Sequence, residues 1–242
     1  TAPSSGKPMI RYWACRGRCE SLRLMLADQL GLDGFTEDVI EFTQAAEWKS
    51  TLKPDTSFSG PFHQLPVVQW NSNDSVVGET EACARYFATY LGIDGYGDVG
   101  KRALADSVTC AIYQNVTQTV LKPLYAENKE AFIKEIEALK TKYTAFLPNI
   151  EAILGDKSFL HSDQTPLYSD YFLIDALEQI NTVMGETYLP KHFEKLNEYR
   201  KRFLQRPNIQ AYQKSKSYDN WVRSPNEKDN WGFIKEWQQQ QQ

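Results

Sequence analysis

Four glycines fall within nine residues, Gly92, Gly95, Gly97 and Gly100, and the hydrophobic period of the chain changes across them. Glycine is the residue least able to hold a helix or strand, so this cluster reads as a linker over 92–100. Before it, strand-like and helix-like stretches alternate. After it, apolar residues recur at helical spacing only. A chain of 242 residues has room for two modest domains, and the break divides it into a first domain at 1–91 and a second at 101–242.

In the first domain Met9 to Trp13 reads as a short strand. Leu22, Met25, Leu26 and Leu30 follow at helical spacing and are closed by Gly31 and Gly34. Phe35 to Phe42 alternates like a second strand. Ala45 to Leu52 is a short helical or irregular piece, and Lys53 to Phe62 is a loop rich in Pro, Ser and Gly. Val67–Trp70 and Ser75–Val77 predict two strands joined by the turn composition Asn71-Ser72-Asn73-Asp74. Thr80 to Leu91 predicts a helix. The order is βαβ followed by ββα, a thioredoxin-like pattern.

The second domain predicts an all-helical bundle. One stripe runs through Leu104, Val108, Ala111, Ile112 and Val116. A longer one runs from Phe132 through Ile136, Leu139, Tyr143, Phe146 and Ile150 to Ile153. Leu167 to Ile180 is mostly apolar with Asp170 and Asp175 embedded, which marks a buried central helix. Phe193–Leu204 and Ile209–Lys216 complete the bundle.

Composition narrows the function. Net charge is −4, against the basic patches that nucleic acid selects. No apolar run approaches the roughly 18 residues of a membrane span. Thr1 to Lys7 lacks the apolar segment of a signal peptide. Four scattered cysteines, Cys15, Cys19, Cys83 and Cys110, do not make a disulfide scaffold, so a reducing, cytoplasmic setting is expected. His63, His161 and His192 have no ligand spacing, and no metal is expected.

Three short segments carry the chemistry. Arg11-Tyr12-Trp13-Ala14-Cys15-Arg16-Gly17 stands at the end of the first strand. Phe62-His63-Gln64-Leu65-Pro66 precedes the third, and Gly78-Glu79-Thr80-Glu81 opens a helix. Together with Trp48, Lys53, Arg85-Tyr86, Asp106, Asp170 and Arg206-Pro207-Asn208-Ile209, this ordered set resembles the cytosolic glutathione S-transferases. The likeness is to the tyrosine-type members (alpha, mu, pi and sigma-like) and covers nearly the whole chain. It implies a thioredoxin-like domain followed by a helical one, and a reaction in which the thiolate of glutathione attacks an apolar electrophile.

What the resemblance implies for individual residues has physical content. Only the thiolate attacks carbon well, and a hydroxyl donating to sulfur favours that charged form. Lowering a thiol pKa by ~2 units takes ~2.7 kcal/mol. Tyr12 matches the family's donor. Pro66 matches its cis-proline, which would present the N–H and C=O of Leu65 to the cysteinyl backbone of glutathione, like an added strand. Gln64 would point at the same ligand. Glu79 and Thr80 match the γ-glutamyl site at a helix start, where open N–H groups favour a carboxylate. Tyrosine-type members usually carry Gln-Ser here, and Glu-Thr is closer to theta- and omega-like relatives. Trp48 and Lys53 match contacts to the glycyl end, one residue further apart than in many mu-like members. Trp13 and Arg16 belong to the same site by the same likeness.

The helical domain would contribute Asp106, which in the family reaches a ligand across a dimer interface. Trp13, Tyr113 and Val116 would line the electrophile pocket. Phe62 matches the aromatic key of the dimer, so a twofold homodimer is expected. Trp221, Trp231 and Trp237 are expected to pack on the bundle rather than cover the site. Asp170 matches a folding aspartate, but Leu167 replaces the usual hydroxyl residue at the cap, which leaves Thr165 to serve as cap. Three other readings remain open: a thiol reductase using Cys15 or Cys19, a glutathione-dependent isomerase, and a non-enzymatic descendant of the fold.

Overall fold

The computed structural model describes residues 6–71, 74–215, 218 and 227–240, with side chains undescribed over 227–231. The strands are β1 (Met9–Trp13), β2 (Thr36–Ile40), β3 (Val67–Gln69) and β4 (Val77–Gly78). The helices are α1 (Glu20–Leu30), α2 (Thr80–Leu91), α3 (Val99–Ile112), α4 (Lys129–Leu154), α5 (Tyr168–Met184), α6 (Tyr188–His192), α7 (Glu194–Leu204), α8 (Pro207–Gln213) and α9 (Glu227–Gln239). Single helical turns at Ala45–Glu47 and Thr56–Ser59 lie between β2 and β3.

The chain forms two compact units. One is Thr1–Gly97 with Arg206–Arg223, and the other is Asp98–Gln205 with Ser224–Gln242. The break at 97/98 falls inside the glycine-rich linker. Residues 206–215, read from sequence as part of the bundle, fall in the first unit instead. The reason is polar as much as apolar. Arg206 Nε donates to both carboxylate oxygens of the buried Asp28 near the end of α1, at 2.9 Å each, and its Nη2 lies 2.8 Å from Oδ2. Asn208 donates to the Asp28 carbonyl at 2.8 Å, and the Tyr212 hydroxyl donates to Glu20 at 3.1 Å.

The first unit is built on a four-stranded sheet ordered β2-β1-β3-β4. β1 and β2 run parallel, joined through α1, while β3 is antiparallel to both β1 and β4. This is the βαβ-ββα order read from sequence. Ile10, Val67 and Val68 are fully buried in the sheet, as are Leu22 and Leu26 of α1 and Phe87 of α2. A guanidinium is also buried there: Arg23 donates to Glu37 at 2.8 Å and to the Cys15 carbonyl at 2.8 Å. An ion pair this deep is tolerated when donors meet acceptors, as Nε and Nη1 of Arg23 do here. Residues 72 and 73 of the expected turn lie outside the described residues, and across them the Asp74 N–H donates to the Asn71 carbonyl at 2.9 Å.

The second unit has helices and no strand among its described residues, with α5 as the buried axis. Fourteen of its seventeen residues are buried, among them Tyr168, Phe172, Leu173, Ile174 and Leu177. The cap expected from Thr165 is made otherwise. Asp170 accepts from the N–H groups of Leu160 and Leu167, both at 2.9 Å, and from the Tyr199 hydroxyl at 2.9 Å. The Thr165 N–H goes to the Ser162 hydroxyl at 3.0 Å. One carboxylate thus satisfies a helix start, a preceding loop and a neighbouring helix. At the other end of α5 the Gln238 side chain of α9 donates to the carbonyls of Thr182 and Val183, at 3.0 and 3.2 Å.

Candidate functional site in the thioredoxin-like unit

Strand register brings the three motif segments together. Arg11 on β1 pairs with Val67 on β3, and Val67 in turn pairs with Gly78 on β4. One residue further along each strand stand Tyr12, Pro66 and Glu79, in a row across one end of the sheet. Residues far apart in sequence are neighbours because three strands end at the same level.

Tyr12 is buried, with 8% of its surface exposed. Its hydroxyl oxygen accepts the Arg18 N–H at 3.2 Å, which leaves the phenolic hydrogen to be donated elsewhere. Burial raises the phenol above its ordinary pKa, with nearby Cys15 adding to the rise and the Arg18 N–H opposing it. The group therefore keeps its hydrogen and stays a hydrogen-bond donor. Gly17 closes the loop over it. Its backbone is left-handed at φ +45°, and a Cβ there would stand 2.6 Å from the Tyr12 oxygen. Sequence reading gave Gly17 no role of its own, yet it is what lets the loop approach the ring.

The Leu65–Pro66 peptide bond is cis. Pro66 is buried, Leu65 half-buried and Gln64 exposed. Among the described residues, the Leu65 N–H and C=O find no partner in the fold, so a short strand edge is left open. Glu79 holds a positive φ of 66°, rare for a residue with a side chain. Backbone held this way marks sites where position matters more than comfort. Thr80 behind it is buried, and α2 starts without a side-chain cap. Its first-turn N–H groups face outward from a positive helix end.

Trp13 stacks on Phe42 with ring centres 5.7 Å apart and meets Trp48 edge-on at 5.5 Å. Trp48 begins a π-helical turn, Trp48–Leu52, closed by the Lys53 N–H on the Trp48 carbonyl at 2.8 Å. A π turn takes up one residue more than an α turn, and this one sets the spacing from Trp48 to Lys53. The Lys53 carbonyl then accepts from the Ser59 hydroxyl and from His63 Nδ1, both at 2.7 Å. Because a carbonyl only accepts, that nitrogen carries hydrogen. His63 itself is left-handed at φ 54°. Arg11 holds the same loop, donating to the Phe58 carbonyl at 2.6 Å with its guanidinium 3.7 Å above the Phe58 ring. Sequence alone gave His63, Ser59 and Arg11 no part in holding this loop.

Arg16 does not point with the others. It lies 3.6 Å over the Tyr218 ring and donates to the Tyr218 carbonyl at 2.9 Å. Phe62 keeps 62% of its surface exposed, a large apolar ring presented outward. Cys15 and Cys19 are buried, at 5% and 0% exposure, and burial pushes the Cys19 thiol up. That is the opposite of what a reactive thiol needs.

In the helical unit Asp106 accepts a short hydrogen bond from Tyr168. Tyr113 opens a π turn, Tyr113–Thr117, and meets Phe172 edge-on at 6.4 Å. Val116 is fully buried and Trp237 nearly so. Trp221 and the side chain of Trp231 lie outside the described residues. Among the described residues no three His, Cys, Asp or Glu side chains gather as a metal site, and no helix is long and apolar enough to cross a membrane.

A thioredoxin-like unit with this row of residues, carried on a chain with an all-helical second unit, is the glutathione transferase fold. Residues 114–216 match the family model for the glutathione S-transferase C-terminal domain. Glutathione S-transferase P of Bos taurus is 28% identical, with 87% of this chain and 93% of the relative aligned. Glutathione S-transferase A2 of Mus musculus is 29% identical, over 86% and 88%. A solved glutathione S-transferase structure from Caenorhabditis elegans superposes with a TM-score of 0.68 at 20% identity, covering 86% of this chain and 96% of that one.

Proposed function

We propose that this chain is a glutathione S-transferase of the tyrosine type, which adds the thiolate of glutathione to apolar electrophiles. The observation that carries the reading is the state of Tyr12: buried, held protonated, its oxygen engaged by the Arg18 N–H, and its own hydrogen left to donate. Such a donor stabilises a sulfur anion within hydrogen-bond reach of its hydroxyl. The open edge at Leu65 supports binding of the cysteinyl backbone, and the uncapped start of α2 supports binding of the γ-glutamyl carboxylate, with exposed Glu79 taking the ammonium. Lys53 and Trp48, on the loop pinned by His63, take the glycyl end. Asp106 and Phe62 are assigned to a homodimer, in which Phe62 is the anchor.

The thiol proton passes to solvent as glutathione binds. The sulfur then forms its bond to the electrophilic carbon, displacing chloride from a chloronitrobenzene, while Tyr12 keeps its proton and serves as a hydrogen-bond donor throughout. Tyr12→Phe tests this. Conjugation of a chloronitrobenzene should fall at least about tenfold, ~1.4 kcal/mol of transition-state stabilisation, with glutathione affinity little changed. Unchanged turnover sinks the assignment. The buried Cys15 and Cys19 give a thiol-reductase reading no reactive sulfur to start from.

A further inference from the structure

One side chain, His63, ties the loop of the proposed glycyl contacts to the segment of the proposed cysteinyl contact. Its Nδ1–H donates to the Lys53 carbonyl at 2.7 Å, and its own backbone N–H donates to the Gly60 carbonyl at 3.2 Å. Leu65, with its open edge, stands two residues further on. The Lys53 carbonyl is met from a second side by the hydroxyl of Ser59, a residue only 1% exposed, at 2.7 Å. The Lys53 N–H is spent on the Trp48 carbonyl at 2.8 Å. The backbone of Lys53 is therefore held at both ends, whereas its ammonium makes no hydrogen bond or ion pair among the described residues. A cation on so fixed a stem, with its head unspent, is placed for an acceptor from outside the fold. The conformation of His63 points the same way. At φ 54° glycine sits freely and a residue with a Cβ is crowded. Such backbone persists where the surroundings hold it, and it gathers at functional sites. Nδ1, which also lies 3.4 Å from the Ser59 hydroxyl, carries the bonding of the ring, and Nε2 has no partner among the described residues.

We infer that His63 is a positioning residue that makes this site select the tripeptide over γ-glutamylcysteine. The inference rests on the conjugation reading and refines it. By tying Lys53 to the segment that ends at Leu65, the imidazole fixes the span between the edge that takes the cysteinyl backbone and the cation that takes the glycyl carboxylate. A thiol peptide without the glycyl residue leaves that cation unused, so it gains nothing from the tie.

The test is steady-state conjugation of a chloronitrobenzene by the full chain, with glutathione or γ-glutamylcysteine as the thiol. His63→Gly removes the donor and relieves the backbone. It should raise KM for glutathione about tenfold, the loss falling on KM and not on kcat, and change KM for γ-glutamylcysteine about twofold or less. His63→Asn keeps an N–H donor one bond beyond Cγ on a residue that tolerates left-handed backbone. It should bring KM for glutathione to within about twofold of the wild type. In a Lys53→Met background, His63→Gly should add about twofold or less. Equal rises for both thiols mean a general loosening of the site and overturn the proposal. So do a wild-type KM in His63→Gly, an Asn variant as impaired as the Gly variant, or effects of His63 and Lys53 that simply multiply. A wild-type protein that uses both thiols equally well overturns it too, while Tyr12→Phe still decides the conjugation reading. If the wild type conjugates neither thiol, that reading fails and this inference with it.

Discussion

Gly17→Ala is the most searching perturbation of the catalytic reading, because it touches Tyr12 without changing it. The new Cβ would stand 2.6 Å from the phenolic oxygen and 2.9 Å from Cε1. Ordinary contact begins near 3.4 Å, so ring or loop must yield by about 0.8 Å at the oxygen. Backbone at φ +45° adds roughly 1–2 kcal/mol for a residue with a Cβ. For a chain of this size each kcal/mol lowers Tm by about 2–4 °C, so the variant should still fold. Misplacing a positioned group by that much costs on the order of 10–100-fold in rate. Steady-state conjugation of a chloronitrobenzene should therefore show kcat/KM falling by that factor while Tm drops by only a few degrees. The decisive arm is the double variant. In a Tyr12→Phe background the oxygen is gone and the worst clash with it, so Gly17→Ala should then cost about twofold or less. Full activity in the single variant, or two effects that simply multiply, would refute the claim that Gly17 acts through the Tyr12 hydroxyl.

Asp170→Ala should destabilise the chain by about 3 kcal/mol or more, since three buried donors lose one acceptor; a urea transition monitored by circular dichroism reads it, and a loss under about 1 kcal/mol would count against the assignment. His161 has its pKa lowered, by burial first and then by Lys101 and Lys157. A depressed histidine binds its proton more readily unfolded, so its contribution is present above the unfolded pKa and lost as pH falls through the folded one. Tm measured against pH should accordingly fall on the acid side, and His161→Gln should flatten that fall; an unaltered slope would show that other groups set it.

Much of the first unit was legible because its signals are local. The α2 helix runs from Thr80 to Leu91, between a strand-ending Gly78-Glu79 and Gly92, and its period left little choice. The candidate residues stood out as an ordered set, though not as a geometry. That Tyr12, Pro66 and Glu79 share one end of the sheet follows from strand register, which depends on long-range pairing and not on any single segment. Pinning interactions were harder still. Nothing in the spacing of Ser59, His63 and Lys53 announces that two side chains converge on one carbonyl. The spacing from Trp48 to Lys53 could be counted, but the π turn that sets it could not be read. The placement of residues 206–213 failed for a related reason. Their helical period identifies a helix, whereas their assignment to the first unit depends on Asp28 and Glu20, acidic residues of α1 with no mark of their partner.

The protonated state of Tyr12 has a bearing on how kinetics should be interpreted. A phenol kept in its neutral form by its surroundings contributes no inflection to a rate profile in the accessible range. Under the proposed conjugation, an ionisation seen in turnover near neutrality is then expected from the sulfur of the bound tripeptide, so the profile of the wild-type protein becomes a titration of that sulfur.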